Sequence, residues 1–497
     1  MKRHLTILAV VMGTLGCLAQ GLAVRHSRIG DKVTSADGKI TITCIGKKQN
    51  FSFRDAATRD EDIYSPKSVN FHPDGSRYYV NSLEGGATIV YDMATNKKNK
   101  VIKHQFKSGT GKLWNKPSGY YKFTHYTDGQ NRAFMGKPVE STFSHGGRYL
   151  WVPYYRRSFD INAQDPSAIA IIDTRTDSIV RMMETGPLPK MVACSHDSHY
   201  IAVAHWGNNT VGLIDVSSAD PTQWHHLPYV VVDYELKLNY SLSSSVNRDS
   251  NSGYALRGTV FTPDDRYLLV GCMGGGGGIA VIDMNDRSYL GRLNAPSNLR
   301  HLVVKNGYLY ASANRAGQVC RVPLDTVLHA IEKRSGKSMP LKGWESCQVG
   351  GGARTIEASP SGNYVFAACN SASALYVVDT RTMKPVANIT VDSFPVGLHI
   401  STDGKFVVVT SQGRSGAGGG NAVNLYKVEY AEPEVNSDPV PAITSTDTIA
   451  TDSTAMSTDA NSAPVGGGSW LKDNVWYLLG ALLLVIVGAA WFSSKRK

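Results

Sequence analysis

VNFHPDGSRYYVNS, Val69–Ser82, reads as strand, tight turn, strand. Val69 and Phe71 alternate with polar residues, Asp74-Gly75 supplies the turn, and Tyr78–Val80 is an unbroken apolar run. A dipeptide of this kind tolerates the positive φ of a short hairpin connection. The arrangement returns along the chain as FSHGGRYLWVPY (143–154), CSHDSHYIAVAH (194–205), FTPDDRYLLVGC (261–272), VVKNGYLYAS (303–312), ASPSGNYVFAAC (358–369) and ISTDGKFVVVTS (400–411), making seven copies. Six are followed by a further apolar strand, five of these ending apolar-Asp: IVYD (89–92), AIID (170–173), GLID (212–215), AVID (280–283) and YVVD (376–379). The seventh copy has NLYKV (424–428) there instead.

Each unit is a small antiparallel sheet that cannot cover both of its own faces. Radial repetition solves this, because each sheet packs on its neighbours and only short edges remain. The expected fold is therefore all-β, a seven-bladed β-propeller over residues 24–430. KITITCIG (39–46) has no unit of its own and the last unit lacks a fourth strand, so the N-terminal strand is expected to complete the last blade. One short helix is expected within LDTVLHAIEKR (324–334).

The hairpins YYVNS, YIAVAH and FVVVTS, each followed by a strand ending in the manner of V-I-D, resemble the YVTN/YncE-like β-propeller repeat family over about residues 65–430. The resemblance implies the propeller fold and relatives of diverse function: surface-layer proteins, nucleic-acid binders, haem d1 domains and lactonase-like enzymes. A fold of this kind does not choose among them.

The two ends read differently. Lys2-Arg3-His4 precede an apolar run, and small residues near Ala23 suit cleavage, so residues 1–23 are expected to be a secretory signal. Cys17 follows Leu15-Gly16, which leaves a lipidation site open. Residues 431–469, rich in Ser, Thr, Asp and Pro, are expected to form a disordered stalk; DTI (447–449) and DST (452–454) are weak matches to an O-glycosylation acceptor. Within 470–497, Val475–Phe492 is uncharged, edged by Trp476, Tyr477 and Trp491 and followed by KRK, as expected of a single transmembrane helix with a basic cytoplasmic tail. The propeller would then sit in the periplasm or elsewhere on the extracytoplasmic side of the cell membrane.

Export would permit disulfides among the six cysteines that follow the signal, and Cys320 and Cys347 could pair across strands, whereas Cys272 and Cys369 read as matched buried thiols. The net charge of +11 belongs to the body, since the stalk is acidic, and a basic exported body prefers anionic partners.

Aligned on their turns, the units begin the innermost strand with Lys67, Lys190, Arg257, Arg300 and Arg354, with Val139 and Val396 in the other two. The long insertions fall in the connections that open on the same mouth of the channel, which brings aromatic residues there: Tyr154 and Tyr155, with Trp114, Tyr120 and Tyr121. Five cations around one mouth suit an anion; equally, they suit capping of inner strands by bonds to backbone carbonyls or channel water. His205, in AHWGNN, is placed on this face as a ligand-binding residue, a haem ligand or a general base. Glu140, Glu357 and His399 lie on innermost strands, where acid–base chemistry is conceivable.

No CxxCH, HExxH, GxSxG or phosphate-loop pattern occurs, so no cofactor, no metal and no catalytic residue is assigned. The expected role is a binding scaffold for an anionic envelope ligand or another envelope protein. The alternatives are a lactonase-like hydrolase and a haem d1-type carrier. Nucleic acid is the less expected partner of an exported protein.

Overall fold

The computed structural model describes residues 26–50, 56–107, 110–122, 133–237, 246–413 and 420–435. The expected signal, Cys17, most of the stalk, the expected membrane segment and parts of the long insertions lie outside them. Among the described residues no helix is long and apolar enough to cross a membrane.

Seven antiparallel sheets form a closed ring, a seven-bladed β-propeller. The first blade takes Pro66–Phe71 as its inner strand, then Arg77–Ser82, Ala87–Asp92 and Lys98–Lys103. The inner strands of the third to seventh blades are Pro189–Cys194, Leu256–Phe261, Leu299–Lys305, Ala353–Ala358 and Pro395–Ile400. In the second blade the inner strand is broken into Gly136–Pro138 and Thr142–Ser144.

Strand alternation explains the ring. On the second strand of the first blade, Tyr78 and Val80 pack with Val408, Val423 and Leu425 of the seventh blade. Tyr79, between them in sequence, packs with Leu150 and Val152 of the second. Successive side chains leave a strand on opposite faces, so one hairpin serves both neighbours. The turn needs a left-handed residue, and Gly75, at φ 75°, donates its N–H to the His72 carbonyl at 2.9 Å.

In three blades the fifth residue of the second strand performs a further job. Asn81 donates to the Glu140 carbonyl (3.2 Å), Ser312 to that of Arg354 (2.6 Å) and Thr410 to that of Lys67 (2.8 Å). Each time a small polar side chain fastens the next blade's inner strand near its start.

Ile40–Gln49 runs beside Ala422–Tyr430, from Ile40 opposite Tyr430 to Gln49 opposite Ala422, and Lys32–Thr34 adds an outer strand. Both ends of the ring thus share the seventh sheet. Ile40, Ile42 and Cys44 are buried with Leu375 and Val377 of the sixth blade. The helix Leu324–Glu332 buries Val327 and Ile331, and Ser338–Met339 after it pairs in parallel with the outer strand of the fourth blade. That bridge from the fifth blade to the fourth has no repeat signal in the sequence.

Among the described residues every cysteine is a free thiol. Cys320 lies opposite Ser346, while Cys347 lies opposite Val319, one position along. Residues one register apart project to opposite faces of a sheet, so the pair cannot be bridged here. Cys272 and Cys369 are fully buried, and burial pushes both thiols up to about 12.

Candidate functional site: the cationic channel mouth

The inner strands converge on the channel, and a bulge near the start of five of them changes the register around the cation-bearing position. Lys67, Arg257 and Arg354 are only 8%, 4% and 5% exposed. The like charges sense one another. Burial, then Arg354 and Arg257, push Lys67 well below the ordinary lysine value. Burial, then the same two arginines, depress Arg300, and burial with Arg257 depresses Arg354. A guanidinium does not give up its proton in a protein, so its penalty is felt as demand for an anion.

Two carboxylates answer part of that demand. Glu140, beside Val139 in the second blade, accepts from Arg257 Nη2 at 3.0 Å. Asp249, on the connection into the fourth blade, accepts from Lys190 Nζ at 2.5 Å and from the Tyr155 hydroxyl at 3.0 Å. Lys190 also lies over the rings of Tyr155 (4.6 Å) and Trp206 (4.5 Å), and Trp206 Nε1 donates to the Asp249 carbonyl at 3.0 Å. Burial outweighs its partner and brings Lys190 down to about 8, while Lys190, against the effect of burial, holds Asp249 below the usual carboxylate range.

The other three cations have no such answer. Among the described residues no carboxylate is within ion-pair distance of Lys67, Arg300 or Arg354, and none of the three side chains makes a hydrogen bond. The Nε atoms of Arg300 and Arg354 are buried without a partner. The mouth is therefore divided: paired charges on the second-to-fourth-blade side, unpaired ones on the fifth, sixth and first blades.

Below the mouth lie His301, Glu357 and His399. Burial pushes Glu357 up to about 8 and both histidines down to about 4, so the three are neutral at pH 7. His399 Nδ1 accepts from the Phe71 N–H at 3.3 Å.

Two expected site residues are elsewhere. Tyr154 is wholly buried between the first and second blades, its hydroxyl 2.8 Å from His104 Nδ1, because its strand alternation turns it inward while Tyr155 faces the mouth. His205 is wholly buried as well, with Thr210 Oγ1 2.8 Å from Nδ1 and the Gly186 N–H donating to Nε2 at 3.0 Å. With both nitrogens engaged and burial pushing it down to about 3, His205 offers neither a haem ligand nor a base. Tyr121 stacks edge-on to it at 5.6 Å and is buried too, whereas Tyr120 is 41% exposed. Asp249 was invisible in the sequence, since nothing in VNRDSNSG marks one aspartate of a loop as a channel residue.

No protein-family model matches the chain, and no curated protein matches its sequence. Among solved structures, Kuenenia stuttgartiensis hydrazine synthase is similar at 14% identity and a TM-score of 0.50, over 76% of this chain and 99% of that one. The β-propeller domain of Myceliophteria thermophila Cps50 (Swd1) is similar at 13% identity and a TM-score of 0.49, over 77% and 100%. At such identities the likeness is one of fold, and this chain folds as a seven-bladed β-propeller.

Proposed function

We propose that the protein is a binding protein whose channel mouth takes an anionic ligand, with the propeller held outside the cytoplasm by the C-terminal segment. The observation that carries this is the trio Lys67, Arg300 and Arg354, the first and last buried and Arg300 half-buried with its Nε enclosed, none with a counter-ion among the described residues. Buried charges are normally paired, and a charge left bare marks the place where a partner arrives.

A hydrolase reading has less support. It requires a carboxylate and a histidine in hydrogen-bond contact at the mouth, and the carboxylates there, Glu140 and Asp249, are bonded to Arg257, Lys190 and Tyr155 instead. The haem reading loses His205 as its ligand.

Native mass spectrometry of the full chain, extracted gently from its own membranes, tests the proposal. The wild type should carry an anionic species, small or macromolecular, that a folded Lys67→Met/Arg300→Gln/Arg354→Gln variant lacks. Equal retention by both proteins moves the ligand off the mouth and overturns the reading.

A further inference from the structure

We infer that the mouth selects a compact head group bearing at least two negative charges, of the phosphoryl class, seated off-centre on the fifth, sixth and first blades, in preference to a single carboxylate. This rests on the anion-binding reading above and adds to it the charge, the shape and the place of the ligand.

The charge follows from counting partners. Five cations enter the mouth and two carboxylates, Glu140 and Asp249, are already bonded to two of them, Arg257 and Lys190. A monoanion would leave at least two of Lys67, Arg300 and Arg354 without a counter-charge among the described residues. A head with two or more charges on one centre leaves at most one.

The shape follows from the donors. Arg300 and Arg354 stand on neighbouring blades, and among the described residues neither guanidinium has an acceptor, both Nε atoms being buried without one. Two forks and one ammonium match a tetrahedral oxyanion, whose oxygens point in several directions, better than a planar carboxylate. Backbone bonds fix two of the three strand starts, since Ser312 of the fifth blade holds the Arg354 carbonyl at 2.6 Å and Thr410 of the seventh holds that of Lys67 at 2.8 Å.

The place follows from the asymmetry. On the far side Lys190 is enclosed by Asp249, Tyr155 and Trp206, so the paired half of the mouth forms a wall. On the same inner strands the Ser68 hydroxyl accepts from Asn81 Nδ2 at 2.9 Å and Thr355 donates to the Val396 carbonyl at 2.8 Å, whereas His301 Nδ1 is buried without a partner.

Calorimetric titration of the detergent-solubilised full chain at constant ionic strength, with methyl phosphate, inorganic phosphate, sulfate and acetate as probes, tests this. Phosphate and methyl phosphate should bind at least about tenfold more tightly than acetate, as one extra charge-assisted hydrogen bond provides. Arg300→Gln and Arg354→Gln should each weaken them about tenfold or more, and Arg300→Lys, which keeps the charge without the fork, should weaken them as well. Arg266→Gln, an exposed change at a turn of the fourth blade where it pairs with Asp283, should leave them unaltered. Melting curves confirm that each variant is folded. Acetate binding as tightly as phosphate, with both lost in the arginine variants, would overturn the phosphoryl head while leaving anion binding intact. Failure of every anion to bind would overturn both. Selective methyl phosphate binding over inorganic phosphate would identify an ester, and equal binding the free ion; either supports the class.

Discussion

Arg257 on the fourth blade reaches past the third to Glu140 on the second, Nη2 donating to Oε1 at 3.0 Å, with side chains 4% and 13% exposed. Glu140 also eases the charge of Lys67, Arg300 and Arg354. Removing one partner of a buried pair strands the other, at a cost of about 3–5 kcal/mol. Glu140→Gln should therefore destabilise the propeller by about that amount, and added sulfate should restore part of it. Denaturant unfolding with and without sulfate measures both. An unchanged midpoint would mean that Arg257 finds its counter-charge elsewhere.

Arg354→Met should have the opposite effect on the empty protein. It removes one of several like charges from a buried cluster, replaces it with an apolar chain of similar reach, and leaves the clasp from Ser312 to the backbone untouched. The ligand-free protein should gain about 1–2 kcal/mol while losing affinity for anions, the usual opposition between stability and a site held ready. Thermal melts in a buffer free of multivalent anions check this, and a destabilised variant would show that Arg354 is a structural strut.

The pH dependence should carry two opposed contributions from the channel. Burial pushes Glu357 up to about 8, so the folded protein keeps a proton that the unfolded chain loses above about 4.3. Its stabilisation is complete below that lower value and is lost as pH rises through about 8. His301 and His399 are pushed down to about 4, so their contribution is complete above about 6.5, the unfolded value, and is lost as pH falls towards 4. Glu357→Gln should accordingly flatten the decline in melting temperature on the alkaline side and leave the acid limb as it is. Parallel profiles for variant and wild type would place Glu357 in contact with solvent.

Much of this architecture is legible in the repeat, because turn chemistry and strand alternation are local and recur. The cations are legible for the same reason: Lys67, Lys190, Arg257, Arg300 and Arg354 keep one place relative to the turn. Their division into paired and unpaired halves was not legible. It depends on Asp249, from a loop of no fixed register, and on an arginine that reaches across a blade. Tyr154 and His205 were misplaced because a strand end belongs to the mouth in backbone terms, while the side chain at that position alternates into the wall between blades. The Cys320–Cys347 pairing failed by one register, a distance that sequence spacing cannot measure.

The closing strand gives the last prediction. Ile42 is fully buried in a cluster that joins the first strands of the chain to the sixth and seventh blades, although more than three hundred residues separate Ile42 from its strand partner Val428. Every blade leans on two neighbours, so a defect at the closure deprives the sixth blade of one packed face and frees an edge in the seventh. Ile42→Ala should cost about 2–5 kcal/mol, the range for a large buried aliphatic truncated in a core, whereas Val33→Ala, on the outermost strand, should cost far less. Because the ring is closed by this pairing, the loss should appear in all blades together. Tryptophan fluorescence, dominated in the body by residues such as Trp151 and Trp224 of the second and third blades, should melt at the same lowered temperature as the circular dichroism of the whole sheet. If Ile42→Ala instead yields two transitions, with fluorescence unmoved, the seventh blade frays alone and the closure is an ornament of the ring rather than its fastening.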